Sequence, residues 1–238
     1  MFLDQFHSSK DGHVRITAEQ ASRFAKEVAG DFNPIHDPGA KRFCVPGDLL
    51  FSLVLARYGL SSKMTFSFKG MVGDGVPLRF PESPESLIEI TDDAGRTCLQ
   101  VERHGVPLRN AALAENLARH YVAFSGQNFP HFLKPLMAEQ QVMFNPDRPL
   151  VIYESMSFDL QHLNFSNPGL ELADSQLKVN GKRGDAYLGF RISADGEVVG
   201  TGFKKLVISG LRAYDEDRLQ EFIAYFTGRR AEYLATNK

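Results

Sequence analysis

Residues 46–59 constrain the fold more than any other stretch of the chain. Pro46-Gly47-Asp48 opens a run through Leu49, Leu50, Phe51, Leu53, Val54, Leu55 and Ala56 that is apolar on nearly every side, and Gly59 closes it. A helix with no polar face has to be surrounded by protein. The residues that follow supply the surround. Strand-like runs at 64–68, 75–80, 86–91 and 97–103 are separated by turn signals, notably Asp93-Ala94-Gly95. A buried helix followed by antiparallel strands predicts a sheet wrapped around that helix.

A shorter helix precedes this unit. Thr17 followed three residues later by Gln20 reads as a capping box, and Ala21, Phe24, Ala25 and Val28 recur at helical spacing. Gly30 ends it, as glycine does just past a helix C-terminus. The loop from Asp31 to the central helix contains Pro34 and Pro38, so it is not one regular element.

The second half repeats the order. An amphipathic helix is expected over 111–124, through Leu113, Leu117, Tyr121 and Phe124. Ser125-Gly126-Gln127-Asn128-Phe129-Pro130 then follows it much as Ala29-Gly30-Asp31-Phe32-Asn33-Pro34 follows the first helix. A second central helix is expected over 131–144, with strands at 154–160, 170–180, 185–193 and 198–209 and a hairpin turn at Ala194-Asp195-Gly196-Glu197. Met64-Thr65-Phe66-Ser67-Phe68 and Met156-Ser157-Phe158-Asp159-Leu160 share one alternation. The order reads as a degenerate internal duplication; a chance repetition of helix, loop, helix and strands is the alternative. Halves at 1–108 and 109–212 are expected, then an amphipathic helix in 213–238 whose stripe is Leu219, Phe222, Ile223, Phe226 and Tyr233. That helix either packs on its own chain or makes a homodimer interface.

Charge and composition exclude several classes. A net charge of −2 over 238 residues gives no electrostatic reason to expect nucleic acid or an anionic membrane surface. No run approaches the ~20 apolar residues of a membrane span. Met1-Phe2-Leu3-Asp4-Gln5 has no signal-peptide character. Cys44 and Cys98 fit no metal spacing and read as two buried thiols in a reducing compartment. A cytoplasmic protein without metal or redox cofactor is the expectation. With 19 Phe and no Trp, the interior suits a packed core and equally an acyl-chain tunnel.

Among residues able to carry chemistry, Asp31 and His36 stand out. Pro34 stiffens the backbone between them, so a carboxylate and an imidazole on one loop could converge on a single water. Asn33 could fix the loop through an Asx-type bond. Ordinary loop chemistry, with His36 in solvent, is the competing reading. His104, His120 and His162 lack ligand spacing. The basic pairs Lys182-Arg183, Lys204-Lys205 and Arg229-Arg230 read as solvated, with a carrier-protein or coenzyme phosphate as a less favoured use. Residues 70–75 are glycine-rich without a P-loop lysine.

Gly30-Asp31-Phe32-Asn33-Pro34-Ile35-His36, with Asp37-Pro38 and Ala40 beyond, resembles the hydratase motif of the MaoC-like (R)-specific enoyl-CoA hydratases. Phe43-Cys44-Val45-Pro46-Gly47-Asp48-Leu49-Leu50 resembles that family's lead into its central helix, and Ser67-Phe68-Lys69-Gly70-Met71-Val72-Gly73-Asp74 the strand and turn after it. The likeness covers roughly residues 15–105. The whole chain also resembles a bacterial double hot-dog family without an assigned activity. The resemblance implies an α+β double hot-dog: two antiparallel sheets, each wrapped around a central helix, joined as a pseudo-dimer, with a C-terminal helix. It implies that Asp31 and His36 hold the water added across an enoyl thioester, that Asn33 supports them, and that the Gly47 amide stabilises the thioester oxygen. Phe32, Asp48 and Phe51 would contact substrate, and the acyl group would arrive on coenzyme A or a carrier protein, as in fatty acid metabolism.

Two departures matter. Pro46 stands where the family often has His, and Asp48 where it has an apolar residue. An acid there is ordinary capping, or it marks thioesterase-like use as base or nucleophile, or it repels an anionic ligand. Gln127, Phe129 and Phe132 fall near the positions equivalent to Asp31, Asn33 and His36, so the second half would lack the dyad and serve to wall the tunnel. A hydro-lyase is the leading expectation. A non-catalytic acyl-thioester or fatty-acid binding protein comes second and a hot-dog thioesterase third.

Overall fold

A computed structural model describes residues 2–82 and 85–236. Met1, the first residue of the expected leaderless N-terminus, lies outside the described residues, as do the last two residues of the expected tail. The N-terminal half runs β1 (Ser8–Lys10), β2 (His13–Arg15), α1 (Ala18–Phe24), α2 (Gly47–Tyr58), β3 (Lys63–Phe68), β4 (Leu78–Arg79), β5 (Leu87–Asp92) and β6 (Thr97–His104). Next come α3 (Ala111–Ser125), α4 (Leu133–Glu139), β7 (Val142–Met143), β8 (Val151–Leu160), β9 (Gly169–Asn180), β10 (Arg183–Ala194), β11 (Glu197–Ser209), β12 (Arg212–Ala213) and α5 (Glu216–Thr236).

Local chemistry accounts for most boundaries. Thr17 and Gln20 form the reciprocal capping box at α1. A wider π turn, Ala25–Ala29, extends α1 to Gly30. Gly30 takes φ 66°, a left-handed value that glycine adopts at low cost. Asp195 and Gly196 both have positive φ and join β10 to β11, as a two-residue hairpin requires. β4 is shorter than the run expected at 75–80, because Pro77 lacks an N–H for the ladder.

Helix α2 has the expected environment. Leu49, Phe51, Val54 and Leu55 are fully buried in one core with Phe66, Ile88, Ile90, Leu99 and Val101 from β3, β5 and β6. At about 25 cal/mol per Å² of apolar surface, such a helix is held by its surround. The fold is an α+β hot-dog.

The expected pair of sheets is joined into one, ten strands in the order β1-β2-β4-β5-β6-β3-β8-β11-β10-β9 among the described residues. The join is the antiparallel pairing of β3 with β8, where Met64 faces Phe158, Phe66 faces Met156 and Thr65 faces Ser157. The residues noted above as sharing an alternation therefore exchange partners about a local twofold. Each strand satisfies the open edge of the other.

One expected element needs correction. The second central helix is not 131–144 but the two-turn α4. Phe129 is extended, Gln141 is left-handed at φ 53°, and Val142–Met143 leaves the helix to pair with β12. A smaller core forms there from Leu133, Leu136, Met137, Phe144, Leu188, Leu206 and Leu219.

Candidate active site

The loop after α1 is built from its own polar groups. The Asp31 N–H reaches back to the Ala25 carbonyl at 2.8 Å. The Asp31 carboxylate accepts from the Asn33 N–H at 2.9 Å, and Asn33 Oδ1 accepts from the Ile35 N–H at 3.2 Å. Asn33 thereby caps the one-turn 3-10 helix Pro34–His36, with Pro34 at its first position. His36 Nδ1 lies 2.6 Å from the Cys44 carbonyl oxygen. A carbonyl only accepts, so Nδ1 carries hydrogen and the neutral ring presents a bare Nε2. That nitrogen is 3.7 Å from Asp31 Oδ2, longer than a hydrogen bond and within reach of one shared water oxygen.

Both side chains line a cavity of about 350 Å³, at the small end for ligand pockets. The cavity is not a property of the first half alone. Ser125, Phe129, Tyr153 and Lys204 come from the second half, and Phe222 and Phe226 from α5. Gly47 and Asp48 open α2 on the same wall, and no side chain caps that helix, so its first amides are free to serve a ligand. A β-carbon at Gly47 would lie 2.9 Å from the Phe68 ring and 3.0 Å from Tyr153, so any larger residue there has to displace a ring.

The same cavity holds a cluster that the sequence reading missed. The Lys204 ammonium donates to Ser125 Oγ, and Ser125 Oγ donates to Asp48 Oδ2 at 2.5 Å. All three are buried, Lys204 at 1 % and Ser125 at 2 % exposure. Asp48 Oδ1 has no donor in the protein. Burial pushes the Asp48 carboxyl above its ordinary value, with Lys204 and then Ser125 pulling it back. Burial likewise pushes Lys204 down, against the pull of Asp48. Lys204 Nζ also lies 4.0 Å from the Tyr153 ring centre, and the Tyr153 and Tyr121 hydroxyls share a hydrogen bond.

The solvated reading of Lys204-Lys205 is thus corrected at its first residue. Lys205 does pair with surface acids, Glu154 at 2.5 Å and Asp185 at 3.5 Å. Lys204 points the other way, with Leu206 and Ile208. Strand alternation alone would have placed it inside. Ser125 carried no comparable signal, being one polar residue at a helix end.

The other predicted residues separate. Asp31, Asn33, His36, Gly47 and Asp48 all line the cavity. Phe32 and Phe51 do not. Phe32 turns outward onto Phe226 and Tyr233 of α5, at centroid distances of 6.2 and 5.8 Å. Phe51 lies on the sheet side of α2, 5.0 Å from Phe66 and 4.7 Å from Tyr121. A helix apolar all round offers no clue to which apolar face borders a cavity. In the second half, the matching loop presents Asn128 and Phe129 to the cavity, with Asn128 Oδ1 buried and unpartnered. Cys44 lines the wall too, but burial pushes its thiol up to about 11, which keeps it protonated at neutral pH. Among the described residues no three His, Cys, Asp or Glu side chains converge as a metal-ligand set.

Two loops meet beside the site. A β-carbon on Gly126 would fall 1.7 Å from the Ala29 carbonyl oxygen, so the chain following α3 rests directly on the chain following α1.

The family model described as "Protein of unknown function (DUF3581)" matches residues 1–217. The chain belongs to the DUF3581 family. No curated protein matches it. Among solved structures, this DUF3581 protein is similar to a conserved hot-dog protein of unknown function from Alicyclobacillus acidocaldarius, at 10 % identity over 87 % of this chain and 97 % of the other, TM-score 0.45. It is similar to a MaoC-like dehydratase at 11 % identity over 88 % and 99 %, TM-score 0.43. It is also similar to an acyl-CoA thioesterase II, TesB2, from Mycobacterium marinum, at 10 % identity over 90 % and 100 %, TM-score 0.41.

Proposed function

We propose that this DUF3581 protein is an enoyl-thioester hydratase, acting on acyl groups carried by coenzyme A or a carrier protein and, in reverse, dehydrating the (R)-3-hydroxyacyl thioester. The supporting observation is the pairing of a bare His36 Nε2 with Asp31 Oδ2 at 3.7 Å on a cavity wall. In hydration the two hold one water. The carboxylate orients it, the bare Nε2 of His36 takes its proton as oxygen bonds to C3, and the imidazolium so formed returns that proton to C2. Charge accumulates on the thioester oxygen as an enolate. The free amides of Gly47 and its neighbour at the start of α2 are the donors for it.

The division of labour between halves belongs to the same proposal. Residues 1–108 form the hot-dog half that carries the dyad. Residues 109–212 form a degenerate half that completes the sheet and walls the cavity, and α5, in the tail expected over 213–238, covers the site loop. The cavity of about 350 Å³, at the small end for ligand pockets, takes the acyl chain and its thioester, and the nucleotide or carrier stays outside.

Crotonyl-CoA hydration, followed as loss of enoyl absorbance, tests the reading. Asp31→Asn and His36→Ala are each expected to lower kcat/KM by about 10²–10⁴-fold, the range for general acid–base groups. Activity that survives both substitutions overturns the dyad. A wild-type protein that retains a bound fatty acyl compound in native mass spectrometry, yet turns over no enoyl thioester, replaces the enzyme with a binding protein.

A further inference from the structure

The Asp48–Ser125–Lys204 cluster has no part in hydration as derived above. We propose that Ser125 is a nucleophile, a second reactive centre in the cavity that accepts an acyl group from a thioester or activated ester.

The hydrogen-bond directions support the assignment. Ser125 Oγ already aims its proton at Asp48 Oδ2 and already accepts from the Lys204 ammonium. With Cβ, its own proton and the Lys204 donor placed, one lone pair of the oxygen is left, and Ser125 lines the cavity. A serine hydroxyl is a weak nucleophile until a neighbouring base takes its proton. Here the base is a buried carboxylate, and burial shifts it toward stronger proton affinity. The ammonium of Lys204 sits where alkoxide charge develops. Tyr153, whose ring packs under Lys204 Nζ at 4.0 Å, holds that side chain in place.

The chemistry balances without any added oxidant or reductant. Ser125 Oγ bonds to the thioester carbonyl carbon as its proton moves to Asp48 Oδ2. The C–S bond breaks, the thiolate leaves with that proton as a thiol, and the acyl group remains as an ester on Ser125. In the second step a water attacks the ester carbon. Asp48, ionised again once the thiol has left with the first proton, takes that water's proton on Oδ2, to which acylated Ser125 no longer donates. The carboxylic acid departs and Ser125 regains its hydrogen. The net reaction is thioester plus water giving acid plus thiol, on the acyl groups that the cavity admits.

This inference stands apart from the hydratase reading, because its nucleophile, base and readout are different. The test uses the full chain with p-nitrophenyl butyrate and, separately, a small alkyl fluorophosphonate, which forms a Ser–O–P bond with loss of fluoride. The expected result is a nitrophenol burst of about one equivalent per chain and a phosphonyl adduct mapped by peptide mass spectrometry to Ser125. Ser125→Ala is expected to abolish both, and Asp48→Asn to slow labelling by about 100-fold or more. An Asp31→Asn protein that no longer hydrates crotonyl-CoA is still expected to label at Ser125, so failure of one reading is visible without failure of the other. No adduct on the folded wild-type protein, or an adduct mapped to another residue, overturns the proposal. That mapping needs no variant, so it decides the matter even if Ser125→Ala does not fold.

Discussion

Lys204 brings an ammonium into the interior and meets a carboxylate there through a single hydroxyl. Removing one partner of such a pair strands the other, at a cost of about 3–5 kcal/mol, whereas replacing both by apolar groups of similar volume is often close to neutral. Lys204→Met is therefore expected to lower the unfolding free energy by about that amount, and Asp48→Leu combined with Lys204→Met to recover most of it, as measured by chemical denaturation. Gly47→Ala, whose new carbon meets Phe68 and Tyr153, is expected to cost about 1–3 kcal/mol by overpacking and to shrink the cavity mouth. At this scale the sequence was legible wherever chemistry is local. The Thr17–Gln20 box, the Gly30 stop and the Asp31–Asn33–His36 loop each depend on residues a few positions apart. Ser125, Lys204 and Asp48 lie far apart in the chain, so only tertiary packing brings them together.

Helix α5 shows what a single element adds. Its Arg229 donates to the Phe32 carbonyl at 3.1 Å and pairs with Asp37, and Tyr233 donates to Glu27 at 2.9 Å. Phe222 and Phe226 close one wall of the cavity. The expected stripe is real, and the first of the two readings of it, packing on its own chain, describes these contacts. Its partner, the site loop, was not foreseen. Ending the chain before Glu216 is expected to raise KM more than it lowers kcat, because the dyad remains while the wall is lost; steady-state kinetics on the shortened chain checks this. The start of α5 is tied down by Glu216, which accepts from Lys134 at 2.8 Å and from Tyr214. Chiefly the Lys134 bond, with Tyr214 and Gln220, holds its carboxyl down to about 2. A depressed carboxylate stabilises the fold above its unfolded value near 4.5, and that contribution fades as pH falls toward about 2. Protection of the first-turn amides of α5, taken relative to their intrinsic exchange at each pH, is expected to fall across that window while α2 stays protected. The second central helix was overestimated because apolar residues continue past Gln140; a left-handed Gln141 and the short pairing of β7 with β12 ended it instead.

For the whole molecule, the sheet and the larger core run through both halves. Phe158, Phe190 and Ile192 share one buried cluster with Leu49 and Phe66, so the β3–β8 region is expected to melt as one cooperative unit in calorimetry. The repeat of helix, loop, helix and strands made the double arrangement legible. Which edges would meet was not, because β3 and β8 look alike in alternation and nothing in either strand names its neighbour. The site takes side chains from both halves of one chain, so specific activity is expected to be unchanged over a hundredfold dilution. The join at β3–β8 has a further consequence. Two separate subunits sharing such a cleft obey mass action, and each must keep a surface that recognises its mate. A peptide tether replaces that equilibrium with a fixed effective concentration, independent of how much protein the cell makes. Freed from recruiting a partner, the second half could drift in sequence without losing its place beside the first.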